Sequence, residues 1–361
     1  MILFADSAED FSLWLALWEK NGEHEVFAHP HYVGLYTNKH VQACAAFYES
    51  AKGSILYPFL LRDLKGEKFW KPEAGISFDI ATPYGYGGPL PVKNNESDEL
   101  SNENRKELFK GFYSSFHSWA IENNVVSEFV RFSLFSDARH YYYGTVEHNN
   151  DNIVCDTSLS SEELWKGFKH KVRKNIRIAL NNGLLVKEDL TGEHLDDFIE
   201  VYFDTLKRRK ASPFYFFPKE YFVALLKQQP KHCVFFHVFY QGRIIASELV
   251  LLSNSCGYSF LGGTMQQHFN MRPGELLKYH IIKWAYKQGL TKFVIGGGHK
   301  QHDGIFAFKE AFAPGGVMPF FTGKMVFNKE KYQTLIGKQR YDMTGFFPAY
   351  RAEQGSKSTH G

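Results

Sequence analysis

Six cations crowd residues 166–177: Lys166, Lys169, Lys171, Arg173, Lys174 and Arg177, with His170 among them. No Asp or Glu falls between Glu163 and Glu188. Like charges at three- and four-residue spacing repel by a few tenths of a kcal/mol per pair, and cations in early helical turns oppose the helix dipole. Such a stretch gains most when an anion comes to it. Phosphate fits best, because Arg offers paired donors and Lys a point charge. Arg173, Lys174 and Arg177 are therefore the candidate phosphate ligands, with an ordinary solvated stripe as the alternative. Two other residues have the chemistry of a base. Glu248 stands alone in the apolar run "IIASELVLL", where a carboxylate is either turned outward or kept in a cleft for proton transfer. His299, just after Gly296-Gly297-Gly298, is a comparable base.

Familiar catalytic signatures fail on inspection. The dinucleotide fingerprint needs a glycine at position 301, which is Gln301, and a helix opening directly after the run. "GYSFLGG" misses the nucleophile elbow because Leu261 stands where the second glycine belongs. There is no Walker loop. His299, His302 and Asp303 lack helical ligand spacing and a further ligand, so no metal site is expected.

These side chains need elements to hold them. Trp165, Phe168, Val172, Ile176 and Ala179 recur at helical spacing and give the basic stretch one apolar face. Ser160 and Glu163 form a capping-box pattern, and Asn181-Asn182-Gly183 supplies a stop, which predicts one helix across the segment. "VQACAAFYES" and "GSILYPFLLRDL" read as adjacent strands. "CVFFHVFY" and "RIIASELVLLS" read as a hairpin turning at Gln241-Gly242. "RKELFKGFYSSFHSWAIENN" and "GELLKYHIIKWAYKQG" are amphipathic helices, each feeding a strand. The segment "SWAIENNVVSEFVRF" echoes "KWAYKQGLTKFVIGG", and this self-similarity predicts a duplicated β-β-β-α-β unit. The polar run "EHNNDN" marks the expected boundary, giving domains 1–152 and 153–330 and a polar extension 331–361 whose end is expected to be disordered.

A chain of 361 residues exceeds the size at which one core usually stops growing. Its 34 Phe and 20 Tyr can fill two cores. A net charge of +3 argues against a dedicated nucleic-acid coat, so polyanion contact should be local. The four cysteines form no C-x-x-C pair, which fits reduced thiols. No leader pattern is seen at "MILFADSAEDF", and no apolar run approaches the ~18 residues of a membrane span. A cytoplasmic location without a membrane span is expected.

One resemblance sharpens this reading. The helix L-W-x-x-F-x-x-K-x-R-x-N-I-R-x-A with its N-N-G stop, the strand ending in Gly262-Gly263, the R-P-G-E-L-L opening of a helix that reaches K-W-A, the strand closing on Gly296-Gly297-Gly298 and the run F-x-F-K-x-x-F together resemble the Fem-type transferases of the GNAT superfamily. "TPYGYGGPL" resembles the segment before their first helix. The likeness spans roughly residues 25–325. It implies an α+β (α/β) fold of two tandem GNAT-like domains, each a mixed sheet flanked by helices. It also implies acyl transfer to an amine on a cell-envelope or polysaccharide precursor. The donor would be a co-substrate, acyl-CoA or aminoacyl-tRNA, with no tightly bound cofactor, and tRNA is then a partner. Lys309 matches the family's lysine and is implied to neutralise either developing charge or the donor's phosphate. Arg272 and Gly274 stand where GNAT enzymes keep a Gly-rich pyrophosphate loop, although Pro273 removes an amide donor there. Tyr84 and Tyr86 are implied to line the acceptor cleft. Two alternatives stay open: a GNAT-fold binding protein without chemistry, and a tRNA-dependent aminoacyltransferase making a peptide bond on a peptidoglycan or small peptide.

Overall fold

A computed structural model describes residues 1–92, 101–300, 303–337 and 345–352. His302 and the last nine residues of the tail lie outside the described residues. In chain order the first elements are β1 (Ile2–Phe4), α1 (Ala8–Lys20), α2 (Pro30–Gly34), β2 (Val41–Ser50), β3 (Gly53–Asp63), β4 (Phe78–Ala81), β5 (Leu90–Val92), α3 (Asn102–Glu122) and β6 (Val125–Arg131). Then come β7 (Thr145–Asp156), α4 (Ser161–Gly167), α5 (His170–Asn181), β8 (Leu185–Asp189), α6 (Leu195–Arg209) and α7 (Lys219–Gln228). They are followed by β9 (Cys233–Tyr240), β10 (Arg243–Leu252), β11 (Cys256–Thr264), α8 (Pro273–Lys287), β12 (Lys292–Gly297), α9 (Gly304–Glu310), β13 (Val317–Val326) and α10 (Lys329–Ile336).

Two compact units result: residues 1–149 with 319–361, and residues 150–318. In the first, the strands run β1-β2-β3-β4-β6-β13, with β5 added on β3. All neighbours are antiparallel except β4 and β6. In the second the order is β8-β9-β10-β11-β12-β7, again with one parallel pair, β11 and β12. A parallel pair needs a crossover. The crossovers are α3 and α8, the two helices carrying Trp119-Ala120 and Trp284-Ala285. The expected duplication is therefore real, and each unit is a mixed sheet flanked by helices.

The last strand of each sheet comes from outside the repeat. Residues 322–326 of β13 return from beyond the second unit to pair with β6, and residues 152–156 of β7 precede the body of the second unit and pair with β12. Residues 319–330 therefore belong to the first unit, and so does much of the expected extension. Tyr332, Leu335, Ile336, Phe347 and Tyr350 are buried against Leu64 and Val126. Among the described residues, no helix is long and apolar enough to cross a membrane.

Candidate active site

In the second unit β11 and β12 pair only at Cys256–Lys292, Gly257–Phe293 and Tyr258–Val294. Each then runs on with its other neighbour, β11 along β10 to Thr264 and β12 along β7 to Gly297. The seam between them opens. Two register shifts accompany the opening, at Leu249/Val250 on the β10–β11 side and at Val294/Gly296 on the β12–β7 side. Such bulges bend a strand away from its former course. Gly263 lets α6 lie on the outer limb: a Cβ there would stand 2.6 Å from the Val201 carbonyl oxygen and 2.4 Å from Thr205 Oγ1.

Lys309 enters this opening from α9. Its ammonium donates to the Gly297 carbonyl at 2.8 Å, and a Cβ on Gly296, whose φ is +86°, would lie 3.0 Å from Nζ. The side chain is half-buried. Burial, with the nearby Lys278 charge, pulls its pKa down to about 8 against the opposing pull of Glu248 and Asp303. Asp303 also builds the loop before α9, accepting from the backbone N–H groups of His299, Lys300, Ile305 and Phe306 at 2.8–3.1 Å.

Beside Lys309 lies a buried ion pair. Lys278 Nζ donates to Glu248 Oε1 at 2.6 Å, to Oε2 at 2.8 Å and to Ser259 Oγ at 2.8 Å. Both oxygens of Glu248 are thus engaged, and the carboxylate reads as half of an ion pair. Lys278 carries a signal that sequence reasoning passed over: it sits on the apolar stripe of its helix with Leu277, Ile281 and Ile282. A lone cation on one apolar element and a lone anion on another are candidates to meet.

The start of α8 faces the end of β11. A Cβ on Gly274 would stand 3.7 Å from Thr264 Oγ1 and 3.8 Å from Phe308 Cζ. Arg272 takes a left-handed conformation, φ +63°, and its side chain caps nothing. The first N–H groups of a helix have no intrahelical acceptor, and Pro273 contributes none. Glu275 in this first turn accepts from Asn175 Nδ2 at 2.7 Å, so the motif asparagine ties α5 to the mouth of the seam.

The basic stretch is not one helix. It breaks at Phe168-Lys169, both extended in backbone, into α4 and α5. Lys169 N–H donates to the Ala311 carbonyl, and its ammonium pairs with Glu310 at 2.6 Å. Arg173 is committed to the end of α4, donating to the carbonyls of Lys166 at 2.9 Å and of Phe168. Arg177 is exposed and lies 5.7 Å over the Trp165 ring. Lys171 and Lys174 are exposed. The aromatic face docks as expected: Phe168, Val172, Ile176 and Ala179 are buried in the core of the second unit.

The remaining candidates sit elsewhere. His299 is exposed on the loop before α9. Tyr84 and Tyr86 belong to the first unit and are half-buried. Arg131 lies 5.6 Å over the Tyr84 ring, and Tyr86 packs edge-on against Phe27 and Phe320 at 5.5 Å. Among the described residues no cluster of His, Cys, Asp and Glu is arranged to hold a metal.

Residues 166–309 match the model of the acetyltransferase (GNAT) domain, so the match lies within the second unit and ends on Lys309. No curated protein matches the chain in sequence. Among solved structures the chain is similar to FemX, with a TM-score of 0.66 and 13% identity, over 90% of this chain and 97% of that one. It is also similar to L-PGS from Bacillus licheniformis, TM-score 0.54 and 15% identity, over 91% and 95%. The C-terminal DUF2156 domain of an Agrobacterium fabrum protein assigned as a lysylphosphatidylglycerol synthetase gives 0.55 and 14%, over 91% and 94%. At these identities the likeness is one of fold, and it agrees with the tandem GNAT-like architecture.

Proposed function

Because residues 166–309 match the acetyltransferase (GNAT) domain and the fold is similar to that of FemX, we propose that the second unit transfers an acyl or aminoacyl group to an amine on a cell-envelope or polysaccharide precursor. The observation that carries the reading is the opened β11–β12 seam with the Lys309 ammonium at its mouth. An amine attacking an ester or thioester builds negative charge on the carbonyl oxygen, and a fixed donor for that charge is usually the largest catalytic contribution. Lys309 supplies such a donor without a metal ligand set. A lysine near neutrality also exchanges its proton readily, which suits a reaction in which the attacking amine must lose one.

The donor is a co-substrate, acyl-CoA or aminoacyl-tRNA. The N-terminus of α8 at Gly274, with Arg272 beside it, supports phosphate binding there, and the exposed Lys174 and Arg177 support a second, more open anion contact. Replacement of the Gly-rich loop by Arg272-Pro273-Gly274 favours the aminoacyl-tRNA donor. The structural neighbour assigned as a lysylphosphatidylglycerol synthetase, by name a maker of an aminoacyl lipid, supports an envelope acceptor.

Purified protein offered acetyl-CoA, and in parallel mixed aminoacyl-tRNA, should consume one of them in the presence of amine-bearing envelope precursors. The readouts are free thiol and deacylated tRNA. Consumption of acetyl-CoA without tRNA would remove the tRNA reading. Consumption of neither would leave a GNAT-fold binding protein.

A further inference from the structure

Lys309 shares its surroundings with one anion and one cation placed side by side. Glu248 is buried in the middle of β10, opposite Gly262 of β11 and Phe236 of β9. Lys278 is buried on α8, 5.6 Å over the Phe293 ring of β12. Ser259, its third acceptor, is the first residue of β11 beyond the last pair with β12. The ammonium therefore bridges three elements at the point where the seam parts.

We propose that Lys278 is a positioning residue for the acyl-transfer site: by engaging both oxygens of Glu248 it keeps that buried carboxylate from neutralising Lys309, and by holding Ser259 it ties the free limb of β11 to α8. This rests on Lys309 being the ammonium that meets the reacting carbonyl oxygen. The charged groups acting on Lys309 are Lys278 from α8, Glu248 from β10 and Asp303 from the N-cap of its own helix. From β7 the nearest polar side chain at Gly296 is the uncharged Asn152, and β12 presents the Gly297 carbonyl.

The pair matters through its cancellation. Glu248 alone would hold a proton on Lys309 and offset the positive charge that a developing oxyanion needs. Lys278 alone would expel the proton and leave an amine, which cannot stabilise negative charge. Together they leave Lys309 a cation that gives up its proton easily. In sequence Glu248 read as either an outward-turned carboxylate or a cleft base; the geometry pairs it with Lys278.

The test is a titration of lysine Cε by carbon-13 NMR, with the Lys309 resonance assigned by its loss in Lys309→Met. The native midpoint is expected near 8. Glu248→Gln should lower it and Lys278→Met should raise it, each by about one unit, the usual effect of a close charge. The double variant Lys278→Met/Glu248→Met removes both charges and should return the midpoint to near the native value. It also guards against misfolding, because replacing a buried pair by apolar groups is often neutral for stability. Unmoved midpoints, or single variants that shift in the same direction, would overturn the proposal. The titration needs neither donor nor acceptor, so absence of transfer activity would sink the functional reading and leave this one standing.

Discussion

The two units lay down the same strand order and the same single parallel pair, yet one seam is closed and the other open. In the first unit β4 and β6 pair at four positions, and the chain beyond β4 stays attached. Thr82 N–H donates to the Phe129 carbonyl at 3.1 Å, and Ser133 N–H donates to the Gly87 carbonyl at 2.7 Å. In the second unit pairing stops after three positions. The crossover helices differ in the same sense. Ser101 caps α3 by accepting from Asn104 N–H, whereas the side chain of Arg272 leaves α8 uncapped. A closed seam and a capped helix satisfy the fold; an open seam and a bare helix end leave groups for a ligand.

Buried charge divides the same way. In the first unit Asp79 is held by Arg62 at 2.6 Å, by Arg351 at 2.7 Å and by the Tyr350 hydroxyl at 3.0 Å. Glu128 accepts from Tyr57, Tyr142 and Tyr143 at 2.8–2.9 Å. These networks are buried and look inward. In the second unit Lys309 has, among the described residues, a single hydrogen-bond acceptor, and its pKa is depressed. Proteins violate local rules where function demands it, and the contrast supports the proposed placement of the chemistry in the second unit.

The largest expected effect that would sharpen the contrast is on stability in the first unit. Arg351→Ala leaves Asp79 with one of its two cationic partners and should cost about 3 kcal/mol, in line with breaking buried pairs; calorimetry of the full chain would show it. The sign with pH follows from the same contacts. Burial pushes the Asp79 pKa up, but Arg62 and Arg351 outweigh it and hold it below its ordinary value. Its contribution is therefore fully present above the unfolded value of about 3.9 and is lost as pH falls through the lower folded one. Arg351→Ala should flatten that acid limb, and an unchanged limb would break this half of the comparison.

A smaller effect separates two residues of the basic stretch. Arg173→Gln removes the donor to the end of α4 and should cost about 1 kcal/mol of stability. Lys174→Gln/Arg177→Gln should leave stability unchanged while raising KM for a phosphate-bearing substrate, with a weaker dependence on salt. Equal melting losses in both variants would mean the exposed pair is structural too.

How much of this was legible in sequence follows from range. The crossovers with their Trp-Ala signatures and the turn at Gln241-Gly242, where φ is +48° and +77°, are local patterns and could be read. The exchange of last strands could not be read, because β13 and β7 pair with partners that no nearby residue specifies. The break at Phe168-Lys169 escaped because the apolar spacing runs straight through it, while its causes, Ala311 and Glu310, lie over a hundred residues away. For the same reason Arg173 read as a phosphate ligand when its acceptors are carbonyls of the preceding helix. Glu248 stood out in sequence as a lone carboxylate in an apolar strand, and Lys309 through the family resemblance. The relation between them required Lys278, whose neighbours only the fold brings together.

The central claim is that transfer takes place in the open seam, and one comparison tests it directly. Lys309→Met and Glu128→Gln, one lesion in each unit, would be assayed for consumption of whichever donor the native protein uses. Lys309→Met should lower turnover by about 10²–10³, the usual loss when a transition-state donor is removed, without lowering the melting temperature, since it removes a desolvated ammonium. Glu128→Gln should leave turnover of the folded protein intact. Full activity in Lys309→Met, or an equal loss in Glu128→Gln at matched folded fraction, would contradict the claim.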